Sequence, residues 1–476
     1  MPGKLVVVSN RGPYVIRGRN KERAVGGLVT AVEPVVRATK GTWVAWGGRE
    51  GGSGEFSGDG AGYSWREVPL SREEIHGYYY GFANRVLWPL CHCLVEKCEF
   101  SRAQWRVFVE VNRKFAHIAA GESAEADLVW VHDYHLPLVP AVIRRQLKNQ
   151  KIAFFWHIPF PPRDVFAILP WAREILAGLL GSHLIGFHAS DYVENFCQCA
   201  RDLLGARVDP VQGWVEYQGR RTWVRAVPIG IDVETFETHQ RGVEVAGVSR
   251  RLREMLGVEK LALSVDRLDY SKGIPERLAA LELLWERHPE YRGRLSFIQI
   301  AVPTRTEVEA YRLLKRQVEE AVGRINGRFS DGKWLPVYYL YRGFSQAELA
   351  LYYAAADVAL VTPLRDGLNL VAKEYLIARG RQPGVLVLSK FAGAAAELRE
   401  ALLVNPYDVE DMVAKIRLAL EMPGPEQLMR LHLLQQRVRR RDLRWWVSSF
   451  LAHLETRDAA HHTLPRSAAA GREQAY

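Results

Sequence analysis

Arg11 follows an apolar run at 5–8, Arg267 and Lys272 follow one at 263–265, and Arg305 follows one at 298–301. Guanidinium forks match phosphate oxygens in pairs, and a Lys adds a compact point charge. Cations placed in this way are suited to gripping phosphate. Acceptors occupy equivalent positions: His132, Asp133, Tyr134 and His135 after 129–131, His157 after 153–156, and Asp269 beside Arg267. Pro363, Arg365, Asp366, Gly367 and Asn369 follow 359–362. Asp133, His157, Asp366 and Glu374 are the residue types that read sugar hydroxyls. Any one of them alone is equally well a polar residue at a strand end. Their coincidence points to a nucleotide sugar and a phosphorylated sugar as ligands.

The stretch Asp-Gly-Leu-Asn-Leu-Val-Ala-Lys-Glu at 366–374 adds a local mechanism. Gly367 permits a tight turn, and the apolar residues after it open a helix. The unpaired N–H groups and positive dipole end of such a helix can bind a diphosphate. Glu374, further along the same helix, is placed to accept from ribose hydroxyls.

These residues need strands behind them. Short β-branched and aromatic runs recur at 5–8, 43–46, 128–132, 152–157, 184–187, 262–265, 296–300, 337–340, 358–362 and 385–388. Helical patterns at 274–287, 305–323 and 346–356 lie between several of them. Near-continuous apolar strands alternating with helices predict parallel sheets covered on both faces. In such sheets ligands bind beyond the carboxyl ends of the strands, where these polar residues fall. Ten strands exceed one small sheet, so two α/β halves are expected, divided within the polar stretch 229–246. Gly424 and Pro425 interrupt the region after Pro406, and one long helix is expected to run on through Trp445 and Trp446. The expected division is 1–235, 236–440, a helix at 441–456 returning to the first half, and a mobile tail at 457–476.

A chain of 476 residues, 48% hydrophobic and 25% charged, reads as globular and multi-domain. No window approaches the roughly 18 apolar residues of a membrane span, and the start lacks a signal-peptide pattern. A soluble cytoplasmic protein is expected, without membrane or nucleic-acid partners. The net charge of +10 reflects 64 Lys and Arg against 54 Asp and Glu. Part of that excess, Arg437, Arg439, Arg440, Arg441 and Arg444, reads as a solvated helix face, and no nucleic-acid motif accompanies it. The five cysteines, Cys91, Cys93, Cys98, Cys197 and Cys199, are odd in number. Their Cys-x-Cys spacing is tighter than zinc sites use, so buried, reduced thiols are expected.

Taken in order, the motifs Ser9-Asn10-Arg11, Gly26-Gly27-Leu28, Tyr78-Tyr79 to Trp88-Pro89 and His132-Asp133-Tyr134-His135 form one set. His157-Ile158-Pro159-Phe160-Pro161, the run at 267–273 and the run at 363–370 complete it. The whole resembles the trehalose-6-phosphate synthase family of retaining glycosyltransferases, family 20, from Leu5 to about Tyr407. The resemblance implies a GT-B fold: two Rossmann-like domains facing a central cleft, with a C-terminal helix returning to the first. It implies glucose transfer with retention from a nucleoside diphosphate glucose, commonly UDP-glucose, to glucose 6-phosphate. Arg267 and Lys272 would hold the diphosphate, with Gly26 and Gly27 against it and Phe344 by the base. Leu370, Val371, Ala372 and Lys373 would offer backbone amides, and Glu374 would take the ribose. His157 and Asp366 would fix the transferred glucose. Arg11, Tyr79, Trp88 and Arg305 would bind the acceptor phosphate, and Asp133 its sugar hydroxyls. The implied route is a front-face one in which the leaving diphosphate takes the acceptor proton. Neither metal nor cofactor is called for, because cationic side chains take that part. Assembly as a homo-oligomer, dimer or tetramer, is left open.

Some positions depart from the pattern. Tyr80 replaces a small polar residue, and the glycine-rich stretch 47–62 differs. Thr42 to Trp46, Trp171, Phe187-His188 and 192–196 resemble the sister glucosylglycerol-phosphate synthases, which use glycerol 3-phosphate. That acceptor stays open as an alternative, as does an inactive sugar-phosphate sensor. A GT-B epimerase leaves the acceptor-side set unexplained.

Overall fold

The computed structural model describes residues 4–17, 20–23, 27–52, 55–57, 62–124, 126–240 and 245–455. Gly26 and the tail 457–476 lie outside the described residues. All ten expected strands form, five in each of two sheets. The first sheet runs Arg207–Asp209, Trp214–Tyr217, Arg220–Ala226, Leu184–Phe187, Ile152–Phe155, Leu128–His132, Leu5–Arg11, Thr42–Trp46, Ser64–Glu67, Glu55–Ser57. From Arg220–Ala226 to Ser64–Glu67 it is parallel; the outer pairings are antiparallel. The second sheet is parallel throughout: Val337–Leu340, Leu295–Val302, Lys260–Arg267, Val358–Val361, Val385–Ser389, Leu402–Val404.

The central strands are buried on both faces, as helix-covered parallel strands must be: Leu5, Val6, Val7 and Val8 have no exposed surface. In each sheet the strand order reverses once. The chain builds outward in one direction from Leu5–Arg11 and then in the other from Leu128–His132. The second sheet does the same between Lys260–Arg267 and Val358–Val361. A reversal leaves a crevice at the carboxyl ends of the two strands. Arg11 and Asp133 flank the first crevice; Arg267 and Asp366 flank the second.

The departures from expectation have local causes. The strand at Ile152 ends at Phe155, not at His157, because the His157 N–H donates to the Asp133 carboxylate and not to the ladder (3.3 Å). The helix expected from 305 begins at Glu309 and extends to Phe329, leaving Arg305 in a loop with φ 47°. The C-terminal helix is two helices, Gly424–Arg440 and Leu443–Glu455. Arg441 leaves helical geometry, and Asp442 restarts the helix by accepting from the Trp445 N–H at 2.8 Å. Trp446 and Phe450 of the last helix pack on Trp130 and Phe155 of the first sheet, with ring centroids 5.0–5.3 Å apart. The strands at 207–226 were not expected, because short, charged, alternating edge segments carry little apolar signal. Among the described residues, no helix is long and apolar enough to cross a membrane. All five cysteines are free thiols, and burial raises the Cys91 and Cys98 thiols, the latter to about 12.

Candidate active site

At the first crevice, aromatic rings position the cations. The Arg11 guanidinium lies 4.0 Å from the centre of the Trp46 ring and 5.1 Å from that of Tyr79. Tyr79 reaches the crevice from an irregular helix, Ile75–Leu87, kinked at Gly81, and Trp88 from the start of the short helix Trp88–Cys91 that follows it. Past the kink the Trp88 N–H donates to the Ala83 carbonyl, five residues back, so the turn is wider than an α-turn. Burial works against ionisation of Tyr79, yet Arg305, Arg11 and Arg267 together pull its phenol below the usual range. Three guanidinium groups close enough to do this make a strongly positive pocket.

Beneath them lies a buried junction made by both sheets. The Trp88 indole donates to Asp269 Oδ1 at 3.2 Å, and Arg305 Nη1 donates to Asp269 Oδ2 at 2.9 Å. Arg305 also donates to the Tyr134 hydroxyl (3.1 Å), bonds Tyr311, and lies 4.1 Å from the Trp88 ring centre; Arg267 lies 5.0 Å from that same ring. The Arg305 side chain is 2% exposed and Asp269 0%. Burial alone would raise Asp269; the charges of Arg305, Arg267 and Lys272 hold it well below the carboxylate range.

Asp133, at φ 75°, turns the chain at the end of its strand. Its Oδ1 accepts from the Tyr134 N–H (2.9 Å) and the His157 N–H, while burial raises its pKa to about 6. His157 Nε2 lies 3.1 Å from His132 Nδ1, and burial lowers its pKa to about 3, so the imidazole is neutral.

At the second crevice, Lys272 Nζ lies 2.5 Å from Asp366 Oδ2, which also accepts from Asn369 Nδ2 at 3.1 Å. Asn369, at φ 81°, caps the helix Leu370–Ala378 by accepting from the Ala372 N–H at 3.4 Å. A Cβ on Gly367 would lie 2.2 Å from the His157 carbonyl oxygen, so only glycine lets the two crevices meet so closely. The Tyr192 hydroxyl, from the first sheet's side, donates to the Asp366 carbonyl at 3.0 Å. Glu374 accepts from the Tyr353 hydroxyl at 3.0 Å, and burial raises its pKa to about 7. Phe344 lies under the Arg342 guanidinium (4.3 Å) and edge-on to Tyr352.

Thus Trp88, Arg267 and Arg305 share one cluster with Asp269, and Arg11 with Tyr79 another. Lys272 joins Asp366, and Asp133 joins His157. Phe344 stands apart from these, and Gly27 opens the helix Gly27–Ala38. Lys373 turns its side chain away, fully buried, to the Ile229 carbonyl (2.8 Å) and to Glu397. Tyr311 was not singled out from sequence, and Trp46 and Tyr192 entered only within the stretches 42–46 and 192–196 that resemble the sister synthases, with no role at the site. Trp46 stands at a strand end, whereas Tyr311 and Tyr192 lie within helices, where no local pattern marks them for the site. Among the described residues, no cluster of three or more His, Cys, Asp or Glu side chains is arranged to hold a metal ion.

Residues 3–456 match the model of glycosyltransferase family 20. The trehalose-6-phosphate synthase of Mycolicibacterium smegmatis is 42% identical over 459 residues, covering 94% of this chain and 91% of that one. The bifunctional trehalose-6-phosphate synthase/phosphatase of Thermoproteus tenax is also 42% identical; 98% of this chain matches, but it spans only 65% of that relative. Among solved structures, the UDP-forming α,α-trehalose-phosphate synthase of Burkholderia xenovorans in complex with glucose-6-phosphate superposes with a TM-score of 0.89. That pair shares 36% identity, with coverage of 95% of this chain and 100% of the other. An Escherichia coli structure bound with UDP-2-fluoro glucose gives 0.88 at 35% identity, covering 95% and 99%.

Proposed function

The chain belongs to glycosyltransferase family 20, and from that premise we propose that it transfers glucose from UDP-glucose to glucose 6-phosphate with retention, giving α,α-trehalose 6-phosphate. The fold is GT-B. In this reading residues 1–235 hold the acceptor and residues 236–440 the nucleotide sugar. The observation that carries it is the positive pocket of Arg11, Arg267 and Arg305 around Tyr79 and Trp88, set against the Lys272–Asp366 pair and the start of helix Leu370–Ala378. One end suits a phosphate dianion and the other a diphosphate.

Each residue then has a part in the reaction. The diphosphate lies between Arg267, Lys272 and the first N–H groups of the helix, which point along the positive end of its dipole. Gly27, at the start of its helix, approaches it from the first half, Phe344 lies by the base, and Glu374 accepts from the ribose. Asp366 commits Oδ2 to Lys272 and Asn369, which leaves Oδ1 for a glucose hydroxyl. Neutral His157 can donate to another. Asp133 accepts from the acceptor ring, and Arg11, Tyr79 and Arg305 take its phosphate. The acceptor hydroxyl oxygen bonds the anomeric carbon on the face from which the diphosphate departs, and its proton passes to a departing phosphate oxygen. Charge building on that phosphate meets Arg267 and Lys272, already oriented; such preorganisation and the alignment of two bound sugars supply most of the rate.

A product assay with paired donors and acceptors tests this. UDP-glucose with glucose 6-phosphate should give trehalose 6-phosphate. Preference for glycerol 3-phosphate in direct competition, or absence of turnover with any pair, would overturn the assignment.

A further inference from the structure

Between the two sheets the chain crosses outward at 227–232 and returns at 441–443, and the two crossings touch backbone to backbone. A Cβ on Gly230 would lie 2.2 Å from the carbonyl carbon of Asp442 and 2.5 Å from the carbonyl oxygen of Arg441. The Leu443 N–H donates to the Ile231 carbonyl at 3.1 Å. At this point the Ile229 peptide is held on both sides. Its N–H donates to His188 Nδ1 at 3.3 Å, and its carbonyl accepts from Lys373 Nζ at 2.8 Å.

The two clamping residues come from opposite sides of the cleft. His188 directly follows the strand Leu184–Phe187 of the first sheet, with its ring centre 5.3 Å from that of His157. Lys373 is the fourth residue of helix Leu370–Ala378, whose start faces the second crevice. Its side chain has no exposed surface and pairs with Glu397, which in turn lies 3.8 Å from Arg441 on the return crossing. A helix that needed only packing here would be served by an apolar side chain, because a buried ion pair seldom adds stability over one. Acceptance at Nδ1 requires neutral His188; burial, and the nearby His157 and Lys373, keep it so.

We propose that Lys373 and His188 are positioning residues that clamp the Ile229 peptide, so that a diphosphate seated at the start of helix Leu370–Ala378 fixes the placement of the two halves relative to each other. This rests on the reading of that helix as the diphosphate site. Oxygens held by its first N–H groups draw on the helix end, Lys373 carries the displacement to Ile229, and His188 passes it to the neighbourhood of His157. Filling the donor site and registering His157 against the sugar are then one event.

Amide hydrogen exchange on the full chain, with and without UDP, reads this directly, and calorimetry confirms occupancy. UDP should slow exchange at Ile229 and Leu443 at least fivefold in the wild type. In Lys373→Met, which keeps the bulk but not the donor, UDP should still bind, the slowing should vanish, and kcat should fall on the order of 10- to 100-fold, as misplacement of about 1 Å does. His188→Phe, on the other side of the same peptide, carries the test if Lys373→Met does not fold. UDP that binds the wild type without changing those amides overturns the clamp and leaves the transferase reading standing. UDP-dependent slowing retained in the variants overturns it too. UDP that fails to bind the wild type overturns both.

Discussion

The two crevices hold positive charge by different means. In the first, Arg11 rests on Trp46 and Tyr79, and Arg305 faces the Trp88 ring with Asp269 beneath it, while Arg267, from the end of its strand at the second crevice, reaches the same ring. In the second, Lys272 is matched by Asp366, and the start of a helix supplies the remaining donors. An aromatic face orients a cation for about 0.5–2 kcal/mol without neutralising it; a carboxylate orients it and cancels it. The first crevice therefore keeps a net positive field for an incoming dianion. The second is close to balanced until charge moves onto the diphosphate. Losses at the first end should appear in acceptor affinity, and losses at the second in turnover.

The largest effect should come from the balanced end. Lys272→Ala and Arg267→Ala should each lower kcat on the order of 100- to 1,000-fold, the range for removing one donor to a developing anion. Lys272→Ala should also lower Tm, because it leaves the Asp366 carboxylate buried without its partner. Steady-state rates at saturating substrates and a melting curve measure both. Near-normal kcat in both variants would erase the contrast.

The positive end should behave differently. Arg11→Ala removes a charge-assisted contact of about 1.5–3 kcal/mol, so the acceptor KM should rise roughly 10- to 150-fold. The donor KM should stay as it was and kcat should change only a few-fold. Arg305→Ala is a poorer probe, because Asp269 has no exposed surface and would lose its main partner, destabilising the fold along with the site. A fall in kcat at unchanged acceptor KM for Arg11→Ala would place it with the donor machinery instead.

The same contrast explains what could be read in advance. The strands that carry both crevices were legible because helix-covered parallel strands are continuous apolar runs, and the polar residues just beyond them were legible as a group. What joins the two crevices was not. Trp88 to Asp269, Arg305 to Tyr134, and Lys373 to Ile229 span 144 to 181 positions of sequence, and no periodicity predicts such pairs. Lys373 was expected to offer its backbone amide; its side chain acts elsewhere. Asp269 stood among the strand-end residues, yet nothing local marked it as the shared acid beneath both Trp88 and Arg305. The break at Arg441 and Asp442 was missed because helical composition continues across it, and only the close packing of Gly230 makes the interruption necessary.

Asp133 sharpens the acceptor side from hydroxyl to phosphate. A ring presents hydroxyls to its carboxylate, whereas glycerol 3-phosphate offers no ring, and Arg11 would grip either phosphate. Removing one buried partner costs about 1–3 kcal/mol, or roughly 5- to 150-fold. Asp133→Ala should therefore lose that much kcat/KM with glucose 6-phosphate while its residual selectivity over glycerol 3-phosphate collapses. Competition between the two acceptors, with products resolved by chromatography, decides it. Unchanged selectivity would mean that the phosphate grip alone selects the acceptor.

Glu374 gives the mildest test, and it probes the donor end through protons. Burial raises its pKa from the ordinary 4.5 to about 7, against the pull of the Tyr353 hydroxyl. In the empty protein, the folded state thus holds this proton more tightly than the unfolded chain does. Its contribution to stability therefore declines as pH rises from about 4.5 to 7. Ligand binding has the opposite preference, because ribose hydroxyls donate to the ionised carboxylate and UDP must bind that form better. UDP affinity should be flat above about pH 8 and fall below pH 7, by no more than about tenfold per pH unit, with a proton released on binding. Calorimetry in buffers of different ionisation enthalpy counts that proton. Glu374→Gln keeps the shape and removes this titration, so its UDP affinity should be weaker and lose the pH dependence around pH 7, keeping only that of the terminal UDP phosphate, whose own second pKa lies at about 6. If the variant keeps the wild-type pH dependence, the proton belongs to another group and the ribose contact is not made by Glu374.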